Sequence, residues 1–86
     1  MKKWFVYIVE CSDGTLYTGI TTDVNRRLNE HNSGKGAKYT KNRRPVMLMA
    51  VTEAGNRSEA SKEEYFIKQL PREEKIKHII NKNKNE

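Results

Sequence analysis

The sequence predicts an α/β (α+β) fold: a three-stranded, largely antiparallel sheet flanked by helices, in the order β-β-α-β-α-α. Three observations carry this prediction. Short runs rich in β-branched and aromatic residues alternate with longer segments of helical periodicity. Gly, Pro, Ser and Asn punctuate the junctions. At 86 residues the chain has enough apolar material for one core, so the elements must share it. Apolar residues make up 35% and charged residues 33%, the balance of a folded soluble domain rather than a disordered one. Residues 1–80 are expected to form that domain, and 81–86, with almost no apolar content, a frayed polar tail.

The first element is the run from Trp4 to Cys11, apolar at nearly every position and therefore a strand buried on both faces and central in its sheet. Ser12-Asp13-Gly14 signals a turn, and Thr15 to Thr21 resumes as a second strand. The turn length decides which side chains share a face. A two-residue loop would put Tyr7 and Tyr17 on opposite faces. A three-residue loop closed by Gly14 at positive φ opposes Cys11 to Thr15 and Tyr7 to Gly19, and both tyrosines then share one face. Gly after Asp favours the three-residue loop.

A helix is expected from a cap at Thr22 or Asp23 to about Asn32, where Ser33-Gly34 stops it. Val24, Arg27, Leu28 and His31 fall on one of its faces and Arg26 on the other. Ser33 to Arg44 reads as a basic loop, and Val46 to Val51, after Pro45, as a third strand. A second helix runs from about Ser58 to Leu70, with Ala60, Phe66, Ile67 and Leu70 against the sheet. Pro71 then opens a third, with Ile76, Ile79 and Ile80 as its apolar stripe.

Seventeen basic against eleven acidic side chains leave a formal charge of +6, and the excess lies between Lys35 and Arg44. A polyanionic partner is the natural inference, and a merely solvated basic surface the alternative. Cys11 is the single cysteine, which excludes an intrachain disulfide or a Cys-based metal cage and reads as a small core residue. The apolar run after the basic opening Met1-Lys2-Lys3 ends at Glu10 without the small-residue cleavage site of a secretory signal. No stretch is long enough to span a bilayer. A cytoplasmic monomer without membrane association is the expectation.

Phe5-Val6-Tyr7, nine intervening residues, and Tyr17-Thr18-Gly19 resemble the paired tripeptides of the GIY-YIG nuclease superfamily, on the first two strands where that family carries them. Asp23 to His31 is similar to the segment that supplies the family's active-site arginine, here Arg27. Glu64-Tyr65-Phe66-Ile67-Lys68-Gln69-Leu70 is similar to the helix that supplies its metal-binding glutamate, and Ser33 to Thr40 resembles the small stand-alone bacterial members. Phe5 replaces the first Gly, Thr18 the Ile of the second tripeptide, and Ile20 stands where some members place a lysine. The resemblance implies a nuclease with one divalent ion, Mg²⁺ or Mn²⁺, acting on nucleic acid, most naturally DNA in repair or recombination.

Hydrolysing a phosphodiester needs a deprotonated nucleophile, positive charge at the phosphoryl oxygens and neutralisation of the leaving oxygen. Arg27 suits the second task, being planar, bidentate and permanently charged; otherwise it salt-bridges to an acid on a neighbouring helix. Glu64 suits the third, as the carboxylate a hard cation prefers. Helical spacing allows Glu63 as well as Glu64, and the resemblance favours Glu64. Tyr7 is the candidate general base, with Tyr17 as its hydrogen-bonding partner or the alternative base. A phenol with an ordinary pKa of about 10 needs help from nearby charge in that role.

His31 can orient phosphate, relay a proton or simply pack in the core, while His78 has no evident partner. Lys35, Lys38, Lys41, Arg43 and Arg44 are candidate phosphate contacts, and Tyr39 a surface on which a base can stack. Gly34-Lys35-Gly36 is not a Walker loop, since no strand precedes it and no Lys-Ser/Thr pair follows. The two functional readings are a metal-dependent endonuclease-like domain and a non-catalytic nucleic-acid-binding module.

Overall fold

A computed structural model of the chain describes residues 3–84. Met1 and Lys2 of the basic opening, and Asn85 and Glu86 at the end of the expected tail, lie outside the described residues. Strand β1 (Trp4–Glu10) forms the centre of a three-stranded sheet ordered β2-β1-β3, between β2 (Leu16–Thr21) and β3 (Met47–Ala54). Both pairings are antiparallel. Four successive residues of β1, Val6 to Val9, are buried, because a central strand covered on both faces leaves no side for water.

The hairpin closes through the three-residue loop. Tyr7 pairs with Gly19 and Val9 with Tyr17. The Cys11 N–H donates to the Thr15 carbonyl at 2.8 Å and the Gly14 N–H to the Cys11 carbonyl at 2.9 Å. Gly14 has φ +84, the left-handed conformation that closes such a loop and that only Gly adopts without strain. Asp13 secures the turn by accepting from the Thr15 N–H at 3.1 Å and the Thr15 hydroxyl at 2.7 Å.

Strand alternation divides the core in two. On one face Val6 and Ile8 pack with Ala60, Ile67 and Ile79 from α3 (Arg57–Gln69) and α4 (Arg72–Lys84). On the other, Tyr7, Val9 and Cys11 pack with Val46, Tyr17, Leu28, Leu48 and Val51, beneath α1 (Val24–Asn32). Helix α1 begins where Asp23 accepts from the Arg26 N–H at 3.0 Å and ends at Ser33, ahead of Gly34 at φ +84. The Asn32 side chain then pins the entry to β3, accepting from the Val46 N–H at 2.7 Å and donating to its carbonyl at 3.2 Å.

Several expectations are corrected. The basic loop is not wholly irregular: Lys38–Lys41 form a short helix, α2. Phe66 is 49% and Ile80 44% exposed, so neither faces the sheet. Phe66 instead packs against His78, ring centroids 5.0 Å apart. The polar segment from Asn81 does not fray at its start, because α4 continues to Lys84. Lys82 donates to Glu63 at 3.3 Å and Asn83 to the Val51 carbonyl at 3.0 Å, and these bonds replace the missing apolar anchors.

Ile67 lies wholly buried between helix and sheet. Ile67→Ala is expected to cost about 3 kcal/mol through reduced burial and the cavity left behind, seen as a lower denaturant midpoint with an unchanged m-value.

Candidate active site

On the Tyr7 face the sequence brings β1, β2, α1 and α2 together at one buried imidazole. The Tyr7 side chain is folded over Gly19 across the strand pair. A methyl group at Gly19 would overlap the Tyr7 hydroxyl and lie 2.6 Å from its Cζ. This approach directs the phenol toward α1, where its oxygen lies 2.7 Å from His31 Nε2. Gly36 plays the same part for His31, since a Cβ there would lie 2.8 Å from the His31 Cα.

His31 is fully buried, and its second ring nitrogen, Nδ1, lies 2.7 Å from Thr40 Oγ1. The Thr40 hydroxyl donates to the Ala37 carbonyl at 2.9 Å. With its only proton used there, Thr40 must accept from His31 Nδ1–H. A neutral His31 then presents the Nε2 lone pair to Tyr7, which donates its O–H. Burial lowers the His31 pKa below its ordinary value, and the nearby Arg27 charge lowers it further, so the imidazole is neutral at pH 7.

Burial likewise pushes the Tyr7 pKa up to about 12, against the opposing effect of the Arg27 guanidinium beside it. Tyr7 therefore rests as a protonated donor. The expected Tyr7–Tyr17 hydrogen bond is replaced by Tyr7–His31, and Tyr17 instead sets its ring edge against His31, centroids 5.5 Å apart. Because His31 has both nitrogens bonded and no exposed surface, the expectation that it orients phosphate does not fit this geometry.

Arg27 stands beside Tyr7 at the surface, its side chain 30% exposed and 3.0 Å from Glu30. Its partner is thus an acid one turn along the same helix, not one on a neighbouring helix. Partial burial opposes the Arg27 charge, but hydrogen bonding to the Glu30 and Tyr7 oxygens outweighs it and holds the pKa above the ordinary value. A screened surface pair of this kind is weak and exchangeable, so phosphate oxygens can take the place of Glu30.

Helix α3 separates the two glutamates that sequence spacing left open. Glu63 turns toward α4, where it is bonded to His78 and Lys82. These bonds lower its pKa although burial alone would raise it, and they give His78 its partner. Glu64 turns the other way, toward the β2 edge. It lies 3.3 Å from Lys68, whose Nζ is 5.8 Å from the Tyr17 ring centre, and its charge is felt at Tyr7.

Glu64 thus offers one carboxylate on the flank of α3 nearer Tyr17, reached through Lys68. No group of three His, Cys, Asp or Glu among the described residues is placed to cage an ion. A hard divalent cation would fit here with Glu64 as its protein ligand, filling its remaining positions with water and substrate oxygens, as Mg²⁺ characteristically does.

The expected phosphate contacts fall into two sets. Lys35, Lys38 and Lys41 are exposed, with no ion-pair partner among the described residues. A concavity of about 490 Å³ lined by Asn32, Lys41, Asn42, Arg44 and Pro45 opens beside them. Arg43 is occupied structurally, by Asp13 at 3.1 Å and the Tyr39 carbonyl at 2.8 Å. Arg44 is exposed, but its Nε donates to the Lys41 carbonyl at 2.8 Å.

Tyr39 is part-exposed and already engaged within the fold. Tyr17 stacks on its ring at 5.7 Å and the Arg43 guanidinium lies 4.0 Å from its centre. Sequence reasoning missed Thr40, Glu30 and Lys68. Only Glu30 carried a signal, its spacing of three from Arg27. Cys11 is buried and its thiol pKa raised by that burial, as suits a core residue.

A family model described as "GIY-YIG catalytic domain" matches residues 3–85. The chain is 68% identical over 68 residues to UPF0213 protein DP2720 of Desulfotalea psychrophila, an alignment covering 78% of this chain and 62% of that protein, so it spans less than two thirds of that relative. It is 57% identical to UPF0213 protein SERP0126 of Staphylococcus epidermidis, over 92% of this chain and 96% of the relative. The solution NMR structure of protein EF2693 from E. faecalis is similar with a TM-score of 0.67 and 42% identity, over 96% of this chain and 88% of that one. That of UPF0213 protein BH0048 from Bacillus halodurans gives 0.56 and 48%, over 93% and 85%.

The buried network makes a titration prediction. In a pH series followed by ¹⁵N NMR, His31 should remain the Nδ1–H tautomer and protonate below pH 6.5. Because the unfolded chain then binds the proton first, stability present above about pH 6.5 should be lost as pH falls through the folded-state value. A His31 pKa above 6.5 would contradict the assigned bonding.

Proposed function

Because the chain belongs to the GIY-YIG catalytic-domain family, a family of nucleases, we propose that it is a cytoplasmic, monomeric, divalent-metal-dependent endonuclease that hydrolyses phosphodiester bonds in DNA and serves repair or recombination. The observation that supports this reading best is the directed bond from Tyr7 to a neutral, buried His31, with Arg27 beside the phenol and Glu64 within electrostatic reach. A proton acceptor bonded to a tyrosine beside an arginine supplies groups that a catalyst needs and that charge-based binding alone does not require. No helix among the described residues is long and apolar enough to cross a membrane.

The elevated Tyr7 pKa argues against a standing phenolate. Tyr7 instead takes a proton from the attacking water as it hands its own to His31 Nε2, so the phenol carries charge only transiently. Nδ1–H stays fixed by Thr40, which holds the ring aligned throughout. Arg27 also stabilises the charge that builds on the phosphoryl oxygens. A divalent ion on Glu64 would supply neutralisation of the leaving oxygen. Lys35, Lys38 and Lys41 hold the strand by its phosphates without reading sequence.

Glu64→Ala should retain DNA binding and lose cleavage, and chelation should abolish cleavage by the unaltered protein, with Mg²⁺ or Mn²⁺ restoring it. Full activity in the Glu64 variant would remove the metal assignment, and binding without cleavage by the native protein under every divalent ion would favour the non-catalytic module. Replacing Lys35, Lys38 and Lys41 with Gln should flatten the plot of log affinity against log salt, by roughly 0.9 for each phosphate no longer neutralised.

A further inference from the structure

Tyr65 is 69% exposed, the most exposed large apolar side chain among the described residues. No ring, cation or hydrogen-bond partner engages it among those residues, so its place is not explained by folding. At about 100° per residue around α3, Tyr65 lies on the solvent side of the flank that carries Glu64 and Lys68, away from the Ala60 and Ile67 face that meets the sheet. Phe66 occupies the opposite flank against His78, and the Tyr39 ring is already engaged by Tyr17 and Arg43. Lys62 and Lys68, at three residues before and after, are its neighbours on the helix surface. An open phenol ring on the helix flank that carries Glu64, with Lys62 and Lys68 one turn before and after it in the helix, complements one chemistry in particular: a base with phosphates along the same strand.

We propose that Tyr65 is the platform on which a nucleotide beside the cleaved phosphate stacks, and that the site accordingly selects strands with an unpaired base at that position over continuous duplex. This rests on the nuclease reading above and adds its substrate class. Stacking is indifferent to base identity because every base has a π face. That face is reachable only where the base has left its neighbours, in single strands, flaps and junctions. Tyr65 is a positioning residue in this account, holding the strand while Tyr7, Arg27 and Glu64 act on the phosphate.

The test is binding of a fluorescently tagged single-stranded oligonucleotide and of a blunt duplex at low salt, in parallel with quenching of a 2-aminopurine placed in the single strand. Tyr65→Ala should weaken single-strand binding roughly tenfold, narrow the preference over duplex and abolish the quenching. Tyr65→Trp should restore all three, which a generic structural defect would not allow. Because the side chain is exposed, the denaturant midpoint should stay at the native value. If the native protein binds the single strand and Tyr65→Ala binds and quenches equally well, the stacking proposal alone is overturned. If the native protein binds no nucleic acid at low salt, the nuclease reading fails and this proposal with it.

Discussion

One buried chain of hydrogen bonds fixes the geometry on which the rest of this protein depends. Tyr7 donates to His31, His31 to Thr40, and Thr40 to the Ala37 carbonyl. It ties the central strand to the first helix and the first helix to the short helix of the basic loop. Each donor direction follows from the one before, starting at a carbonyl that can only accept. Leaving any of these groups unpaired in a buried site would cost on the order of 1–3 kcal/mol. The network therefore specifies the fold of this face and, in the same arrangement, aims an imidazole lone pair at the hydroxyl that the proposed chemistry uses.

Around that chain, aromatic and cationic groups are layered. His31 meets the edge of Tyr17, Tyr17 stacks on Tyr39, and Tyr39 is capped by Arg43, which Asp13 of the hairpin turn holds in place. Two distant loops are thereby locked together at the margin of the site. The consequence is a division of labour within one basic segment. Arg43 maintains the wall, while Lys35, Lys38 and Lys41 stay exposed and without an ion-pair partner among the described residues. A count of positive charges does not distinguish the two kinds.

Helix α3 makes a similar division. Ala60 and Ile67 secure it to the sheet, Glu63 joins it to α4, and Glu64 and Lys68 overlook the edge strand. Because α3 lies along β2, a glutamate one residue away from a structural ion pair can serve the opposite face. A carboxylate paired only with a half-exposed lysine is easily released to another cation, whereas Glu63, held by two α4 side chains, is not.

The sequence by itself determined the central strand, the hairpin register, the capped first helix and the placement of both tyrosines on one face. Each follows from local constraints: alternation in a strand, positive φ at Gly14, and a capping residue at Thr22 or Asp23, of which the structure uses Asp23. It also singled out Arg27 and His31 as polar groups on an apolar helix face. Tertiary structure alone decided which groups meet. That His31 rather than Tyr17 accepts the Tyr7 hydrogen bond, that Thr40 sets the tautomer, that Glu63 and Glu64 part company and that Tyr39 is engaged by Tyr17 and Arg43 while Tyr65 is open all depend on contacts between segments distant in sequence. Periodicity reports which way a side chain leaves its own backbone; it carries no information about what waits for it there, and hydrogen bonding, burial and pKa are set by that second fact.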